Sequence, residues 1–234
     1  MTRLDETIGT LARGKVIAIT GAGGKTSLLA LLGRYYRGLG KRVLLTTTTK
    51  MQTPEGFGFS ADRYFFGDSE VSSYFPHPGE TVWFADPHPS LPKAIAPSLE
   101  SIHNLSFRYD ITLIEADGAR RLPLKLHTER DPVIPSFTDT VIAVLGLSAI
   151  GQPRKEVCFG ETGEKTVDFP YLQHLIDTPQ GVRKGFSAQR SCLILCNQYD
   201  AIEETEREKS LSLHAPYPIL WGSVQENRCY QSRV

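Results

Sequence analysis

The stretch from Ala18 to Leu32, "AITGAGGKTSLLALL", decides the fold. It reads as the end of an apolar strand, a glycine turn and the first turns of an amphipathic helix, with Lys25 and Thr26 at the junction. Glycine at positions 21, 23 and 24 lets backbone N–H groups turn inward around an anion. The helix that follows adds the positive end of its dipole. The expected phosphate-binding residues are therefore Gly21, Ala22, Gly23, Gly24, Lys25, Thr26 and Ser27. Lys25 is expected to reach the outer phosphates, and the Thr26 hydroxyl to ligate magnesium. The general pattern sets its first glycine five residues before Gly24. Ile19 stands there, so the loop is a shorter, tighter variant.

Outward from this loop, apolar runs alternate with helix-period stretches. Strands are expected at 15–20, 41–49, 63–67, 81–85, 110–118, 140–146, 191–197 and 217–222. Helices are expected at 25–40, near 69–75, after the prolines of 90–105, at 169–178 and at 200–213. Near-continuous apolar strands alternating with helices predict a mostly parallel sheet covered on both faces. The expected fold is α/β, a three-layer P-loop NTPase-like architecture, in one domain over 1–234. Proline-rich stretches near 76–97 and 118–136 read as long loops, which in a compact domain are often functional.

A phosphate loop needs an acid at the end of a neighbouring strand to position its metal. "DITLIEADGARR" (110–121) supplies Glu115 and, two residues on, Asp117, which points the same way if the strand continues. Lys25, Glu115 and Asp117 are the catalytic candidates, and Thr26, Glu115 and Asp117 the candidate ligands of Mg2+. "TTTTK" (46–50) closes the second strand at the same sheet edge, where the hydroxyls of Thr47 and Thr48 are candidates for nucleotide contact. "LCNQYD" (195–200) sets Asn197 and Asp200 after an apolar strand. N-K-x-D in that position reads guanine in many GTPases, but Gln198 replaces the lysine here. Asp200 with Glu203 also fits a helix capping box. Either ATP or GTP suits the loop.

Composition excludes other classes. The 234 residues carry 26 basic and 26 acidic side chains, with no basic stripe for nucleic acid. No apolar segment is long enough to cross a bilayer, and the N-terminus lacks a signal-peptide core, so a cytoplasmic protein without membrane partners is expected. Cys158, Cys192, Cys196 and Cys229 form no C-x-x-C pair; Cys192 and Cys196 read as small core residues of a buried strand.

Taken together, "ITGAGGKTSLL", "VLLTTTTK", "IEADGARRLPLKLHTERDPVIP", "VIAVLGLSAIGQP" and "LCNQYD" resemble the YqeC family over about 14–220. Its members are described as accessory proteins of selenium-dependent molybdenum hydroxylases. The most specific segment carries over as Glu115, Asp117, Gly118, Ala119, Pro123, Leu124, Lys125, Pro132, Val133 and Pro135. Where the family usually shows a His-Arg pair, this chain has Arg154 and Lys155. A nucleotide partner is expected from the loop itself; the resemblance implies a role in maturing a selenium-dependent molybdenum hydroxylase, with a molybdenum/selenium cofactor or a hydroxylase client as partner. Arg120, Arg121, Lys125 and His127 cluster beside the candidate metal acids, where they suit a second anionic substrate. Three functions share these residues. One is a Mg-dependent NTP-binding protein that hydrolyses its nucleotide. Another is an ATP-dependent ligase or kinase acting on a small cofactor, since the short loop is similar to that of Mur-type ligases. The third is a nucleotide-gated cofactor carrier or chaperone that catalyses nothing.

Overall fold

A computed structural model of the chain describes residues 2–53, 60–91 and 93–234. Its strands are β1 (Thr2–Arg3), β2 (Val16–Gly21), β3 (Val43–Thr47), β4 (Met51–Gln52), β5 (Arg63–Phe66), β6 (Thr81–Pro87), β7 (Lys93–Ile95), β8 (Ile111–Glu115), β9 (Leu124–Lys125), β10 (Thr140–Gly146), β11 (Cys158–Phe159), β12 (Ser191–Asn197), β13 (Ile219–Ser223) and β14 (Arg228–Arg233). Its α-helices are α1 (Leu4–Leu11), α2 (Lys25–Gly38), α3 (Asp68–Val71), α4 (Leu99–Ser106), α5 (Arg154–Val157), α6 (Phe169–Asp177) and α7 (Glu204–Ser210).

Among the described residues the main sheet runs β1-β14-β13-β12-β10-β2-β8-β3-β6-β7-β4, with β5 also paired to β6. From β13 across to β5 the pairings are parallel, as the apolar strands require. Antiparallel strands close both ends: β14 and β1 on one side, β7 and β4 on the other. The chain leaves β2 through α2 to build β3, β6 and β8 on one flank, then β10, β12 and β13 on the other. That reversal makes a topological switch point beside β2, where crevices form at the carboxyl ends of parallel strands.

Side-chain alternation sends the two faces of each strand into different cores. Ile17, Ile19, Leu45, Leu113, Ile142 and Leu193 pack with Leu4 and Ile8 of α1 and Leu28, Leu29 and Leu32 of α2. On the opposite face, Ala143, Leu145, Ile194 and Cys196 pack with Leu172, Leu175 and Ile176 of α6. Leu44, Val82 and Phe84 meet α3 and the end of α4 there, and Val16 and Ile114 meet Ile102 of α4. The result is the three-layer α/β arrangement with helices on both faces. All four cysteines are free and buried. Among the described residues no helix is long and apolar enough to cross a membrane.

Several boundaries differ from the sequence reading. The strand expected to 118 stops at Glu115: the Ala116 N–H still donates to Ile19 O at 2.9 Å, but the Ala116 carbonyl takes Val133 N–H and the chain turns away. The helix expected over 200–213 is a 3-10 turn, Tyr199–Ala201, followed by α7. Gln198 sits in the left-handed region (φ +63°), Ile202 is extended, and Glu203 rather than Asp200 holds the N-cap position of α7. The stretch near 76–97 contributes β6 and β7, and its Pro92 lies outside the described residues. The N-terminal β1–α1 and the C-terminal β14 were not expected. They are fastened to each other where Asp5 N–H donates to Asn227 Oδ1 at 3.1 Å and Asn227 Nδ2 donates to Asp5 Oδ2 at 2.8 Å.

The β2–α2 packing is expected to carry much of the stability. Ile19→Ala should lower the unfolding free energy by about 2–5 kcal/mol through lost burial and the cavity left behind. Leu39→Ala, at a position 56% exposed, should change it by less than about 0.5 kcal/mol. Urea denaturation of the two variants checks this; equal effects would contradict it.

Candidate functional site

The loop after β2 is shaped by contacts that exclude side chains. Gly21 has φ +86°, and a Cβ there would fall 2.2 Å from Val144 O. Gly24 has φ +121° and would meet Asn197 Nδ2 at 2.5 Å. The Gly21 N–H donates to Asp117 Oδ2 at 2.9 Å, Ala22 N–H to Val144 O at 2.8 Å and Gly23 N–H to Leu122 O at 3.1 Å. These three amides are engaged by the protein itself. The N–H groups of Gly24, Lys25, Thr26 and Ser27, at the start of α2, find no acceptor among the described residues. The unengaged N–H groups of the loop thus lie in its second half.

Glu115, the last residue of β8, accepts from Thr26 Oγ1 through Oε2 at 2.6 Å. Burial pushes the Glu115 carboxyl above its ordinary value; Lys25 and the Thr26 hydrogen bond oppose the shift, and Asp117 adds to it. The Thr26 hydroxyl and Glu115 carboxylate are hard oxygen donors that fit Mg2+, which binds few protein oxygens and keeps waters or phosphates for the rest. Among the described residues no cluster of three or more His, Cys, Asp or Glu side chains offers a full protein cage for a metal.

Asp117 faces another way. It is fully buried; Oδ2 accepts from Gly21 N–H and lies 2.7 Å from His127 Nε2, and Lys25 Nζ stands 2.9 Å from Oδ1. Lys125 Nζ is 3.7 Å from Oδ2. Burial alone would raise this carboxyl, but Lys25, the His127 hydrogen bond and Lys125 outweigh it and hold it down at about 2. Glu115 is therefore the carboxylate on Thr26, and Asp117 the one on Lys25. Lys25 also donates to Gly21 O at 2.6 Å.

The basic cluster expected beside these acids divides in two. Lys125 is buried, donating to Gly118 O at 2.6 Å and pairing with Asp131. His127 Nδ1 lies 3.0 Å from Gly181 O. Arg120 and Arg121 line a cavity of about 950 Å³ with Lys25, Thr26, Glu115, Lys50, Lys93 and Phe159. Thr47 Oγ1 donates to Glu115 O at 2.9 Å, and Thr48 Oγ1 donates to Val133 O at 2.6 Å. Those hydroxyls tie strand ends together, and neither residue lines the cavity.

A second cavity, of about 490 Å³, opens on the other side of the loop. Gly24, Ser27, Asn197, Asp200 and Ser223 to Gln225 line it. Asn197 is a bolt: Nδ2 donates to Gly23 O at 2.7 Å and Oδ1 accepts from Val224 N–H at 2.9 Å. Gln198 is turned to Ser148, whose hydroxyl donates to its Oε1 at 2.8 Å. The Asp200 carboxylate has no hydrogen bond or ion pair among the described residues, and its backbone carbonyl accepts from Arg207. Sequence reading missed Lys93, Phe159 and Ser223 to Gln225, whose only signal is a position just after or within a strand. Arg154 and Lys155 lie apart from both cavities, with Arg154 3.8 Å over the Tyr171 ring.

The family model for the YqeC protein matches residues 17–161. The chain is also 30% identical to "Uncharacterized protein YqeC" of Escherichia coli (strain K12), over 94% of this chain and 91% of that protein. The chain belongs to the YqeC family. The matched region takes in the loop, Glu115, Asp117 and all the residues lining the larger cavity, and ends before Asn197 and Asp200.

Asp117→Asn leaves Lys25 and Lys125 buried without their shared anion and is expected to destabilise the fold by about 3–5 kcal/mol. Glu115→Gln replaces a carboxyl whose charged form burial already disfavours and should change stability by less than about 1 kcal/mol. The Asp117 carboxyl lies below its ordinary 3.8 in the folded chain. Its stabilisation is therefore fully present above that value and is lost as pH falls toward about 2. Denaturation from neutral pH to pH 2 should show a shallower acid dependence for Asp117→Asn than for the parent; matching slopes, or equal losses in the two variants, would refute the assignment.

Proposed function

We propose that this chain binds a nucleoside triphosphate with magnesium at the start of α2. One observation carries the reading: the Thr26 hydroxyl and Glu115 carboxylate meet at 2.6 Å beside a turn of unengaged backbone N–H groups. Those N–H groups take the β- and γ-phosphate oxygens, and Lys25 exchanges part of its Asp117 contact for a phosphate. Thr26 and Glu115 hold Mg2+, which when bound neutralises phosphate charge. The base enters the smaller cavity, and Asp200 is supported as its reader by a carboxylate that nothing else in the described residues engages. A carboxylate accepts two parallel hydrogen bonds from the N1–H and 2-amino group of guanine, whereas adenine presents an acceptor at N1. GTP is therefore the favoured nucleotide.

Sites of this kind work through positioning and charge stabilisation, so the bound nucleotide turns over slowly unless a second component completes the site. Maturation of a selenium-dependent molybdenum hydroxylase, the role implied by the sequence resemblance, is on this reading the process that the nucleotide drives.

Calorimetric titration with GTP and with ATP, each at constant free magnesium, tests the proposal. GTP binding should fall by about 10- to 100-fold in Lys25→Ala, as expected for a lost charge-assisted contact. Thr26→Ala, which leaves the Lys25–Asp117 pair in place, should abolish the magnesium dependence. Absence of binding by either nucleotide to the folded parent chain would overturn the reading.

Asp200→Asn should weaken GTP by about tenfold or more while improving xanthosine triphosphate, whose 2-oxo group accepts where guanine donates. Equal affinity of the parent for GTP and ATP, unchanged by this substitution, would remove Asp200 from base recognition.

A further inference from the structure

The larger cavity has more cationic lining than the phosphate end of one nucleotide requires. We propose that it is the binding site of a second substrate, a small multiply charged anion carrying phosphate or carboxylate groups, held by Arg120, Arg121, Lys50 and Lys93 beside the terminal phosphate. The placement beside that phosphate rests on the nucleotide reading; the anion site itself rests on the cavity.

Charge is the first argument. The whole chain is neutral, with 26 basic and 26 acidic residues, yet this cavity gathers Lys25, Lys50, Lys93, Arg120 and Arg121 against one acid, Glu115. Lys25 has Asp117 as its partner. The other four cations have no carboxylate partner among the described residues. These four side chains are exposed at the cavity surface, where like charges gathered in a concavity repel one another and raise the local concentration of anions.

Position is the second. The two cavities lie on opposite sides of the start of α2 and share Gly24. With the base in the smaller one and the phosphates on the α2 amides, the terminal phosphate points to Thr26 and Glu115, which line the larger. A ligand there meets the reacting end of the nucleotide.

Backbone conformation is the third. Arg120 and Arg121 are consecutive non-glycine residues with φ +49° and +64°. Each costs about 1 kcal/mol or more in that region, and such strain persists where surrounding structure fixes it, commonly at ligand sites. The strained pair sets both guanidinium groups at the cavity wall. Arg120 lies 5.2 Å over the Phe159 ring, and Arg121 donates to Gln52 Oε1. A guanidinium has five N–H donors, so both keep donors for a ligand. Lys50 and Lys93 line the same cavity from the β3–β4 turn and from β7. The cavity volume, about 950 Å³, suits a small molecule.

The test uses the full chain saturated with magnesium and a β,γ-imido nucleotide. Pyrophosphate and citrate are titrated calorimetrically at constant free magnesium, one probe for phosphate chemistry and one for carboxylate chemistry. At least one should bind without displacing the nucleotide. Its affinity should fall by about tenfold in Arg120→Gln/Arg121→Gln and again in Lys50→Gln/Lys93→Gln, with nucleotide affinity unchanged. Two variant pairs on different chain segments keep the result decisive if one pair folds poorly. Nucleotide binding with no anion binding, or anion binding indifferent to both pairs, would overturn this inference and leave the nucleotide reading standing. If no nucleotide binds, that reading falls alone. The same anions and variants, applied to the nucleotide-free chain, then decide whether the cavity takes anions.

Discussion

One buried anion, Asp117, fixes the geometry on which the candidate site depends. Taking a carboxylate out of water carries a penalty of several kcal/mol, which only close positive or donor partners offset. Here the partners come from separate parts of the chain: Gly21 from the end of β2, Lys25 from α2, Lys125 from β9 and His127 from the loop beyond it. His127 then reaches Gly181, past the end of α6. The loop after β2 and the long segment after β8 are consequently tied to one another, because each supplies part of what keeps Asp117 ionised. The same requirement keeps Lys125 and His127 out of the cavity that their sequence neighbours Arg120 and Arg121 line.

The sheet topology explains why two cavities flank one loop. β2 lies between β8 and β10, and the chain builds outward from it in both directions. On the β8 side, the carboxyl edge carries Glu115, Lys50 and the Arg120–Arg121 turn. On the β12 and β13 side it carries Asn197, Asp200 and the Ser223–Gln225 turn. The start of α2 projects between them, and Asn197 bolts the loop after β2 to the turn after β13, at Gly23 and Val224. Strand order thus places five cations and Glu115 around one cavity, and Asp200 with Arg34 around the other.

The parallel sheet and the loop were legible because their signals are local. "VIAITGAGGKTSLLALL" states strand, turn and helix in sequence, and the apolar runs of β8, β10 and β12 are too continuous for one-sided strands. The N-terminal α1 was not legible, since eight residues, "LDETIGTL", carry only Leu4 and Ile8 as fully buried apolar anchors, and the Asn227 that fastens Asp5 is more than 200 positions away. The division of labour between Glu115 and Asp117 was also hidden. Alternation along a strand gives both the same direction, but β8 ends at Glu115, and Val133 pairs with Ala116 to redirect the chain. Asp200 illustrates the converse. A capping box was locally sound, yet the left-handed turn at Gln198 moved the helix start to Glu204 and left the carboxylate in a cavity.

The candidate site is neutralised from within, and on the nucleotide reading this bears on how tightly it would bind. Lys25 is 5% exposed; without Asp117 and Gly21 O it would be a buried ammonium with its charge uncompensated. A phosphate arriving at Lys25 therefore replaces existing contacts and does not meet a bare cation, so the net gain from that lysine is the difference between two anionic partners. The α2 amides behave differently. They have no acceptor within the described residues, and any anion that reaches them gains the whole interaction with the helix terminus. Four further cations in the larger cavity lack a carboxylate partner among the described residues, although Arg121 donates to Gln52 Oε1. On the nucleotide reading, affinity for the nucleotide then comes mainly from the α2 amides, and Lys25 contributes most where a transition state carries more charge than the ground state and outcompetes Asp117 for its ammonium.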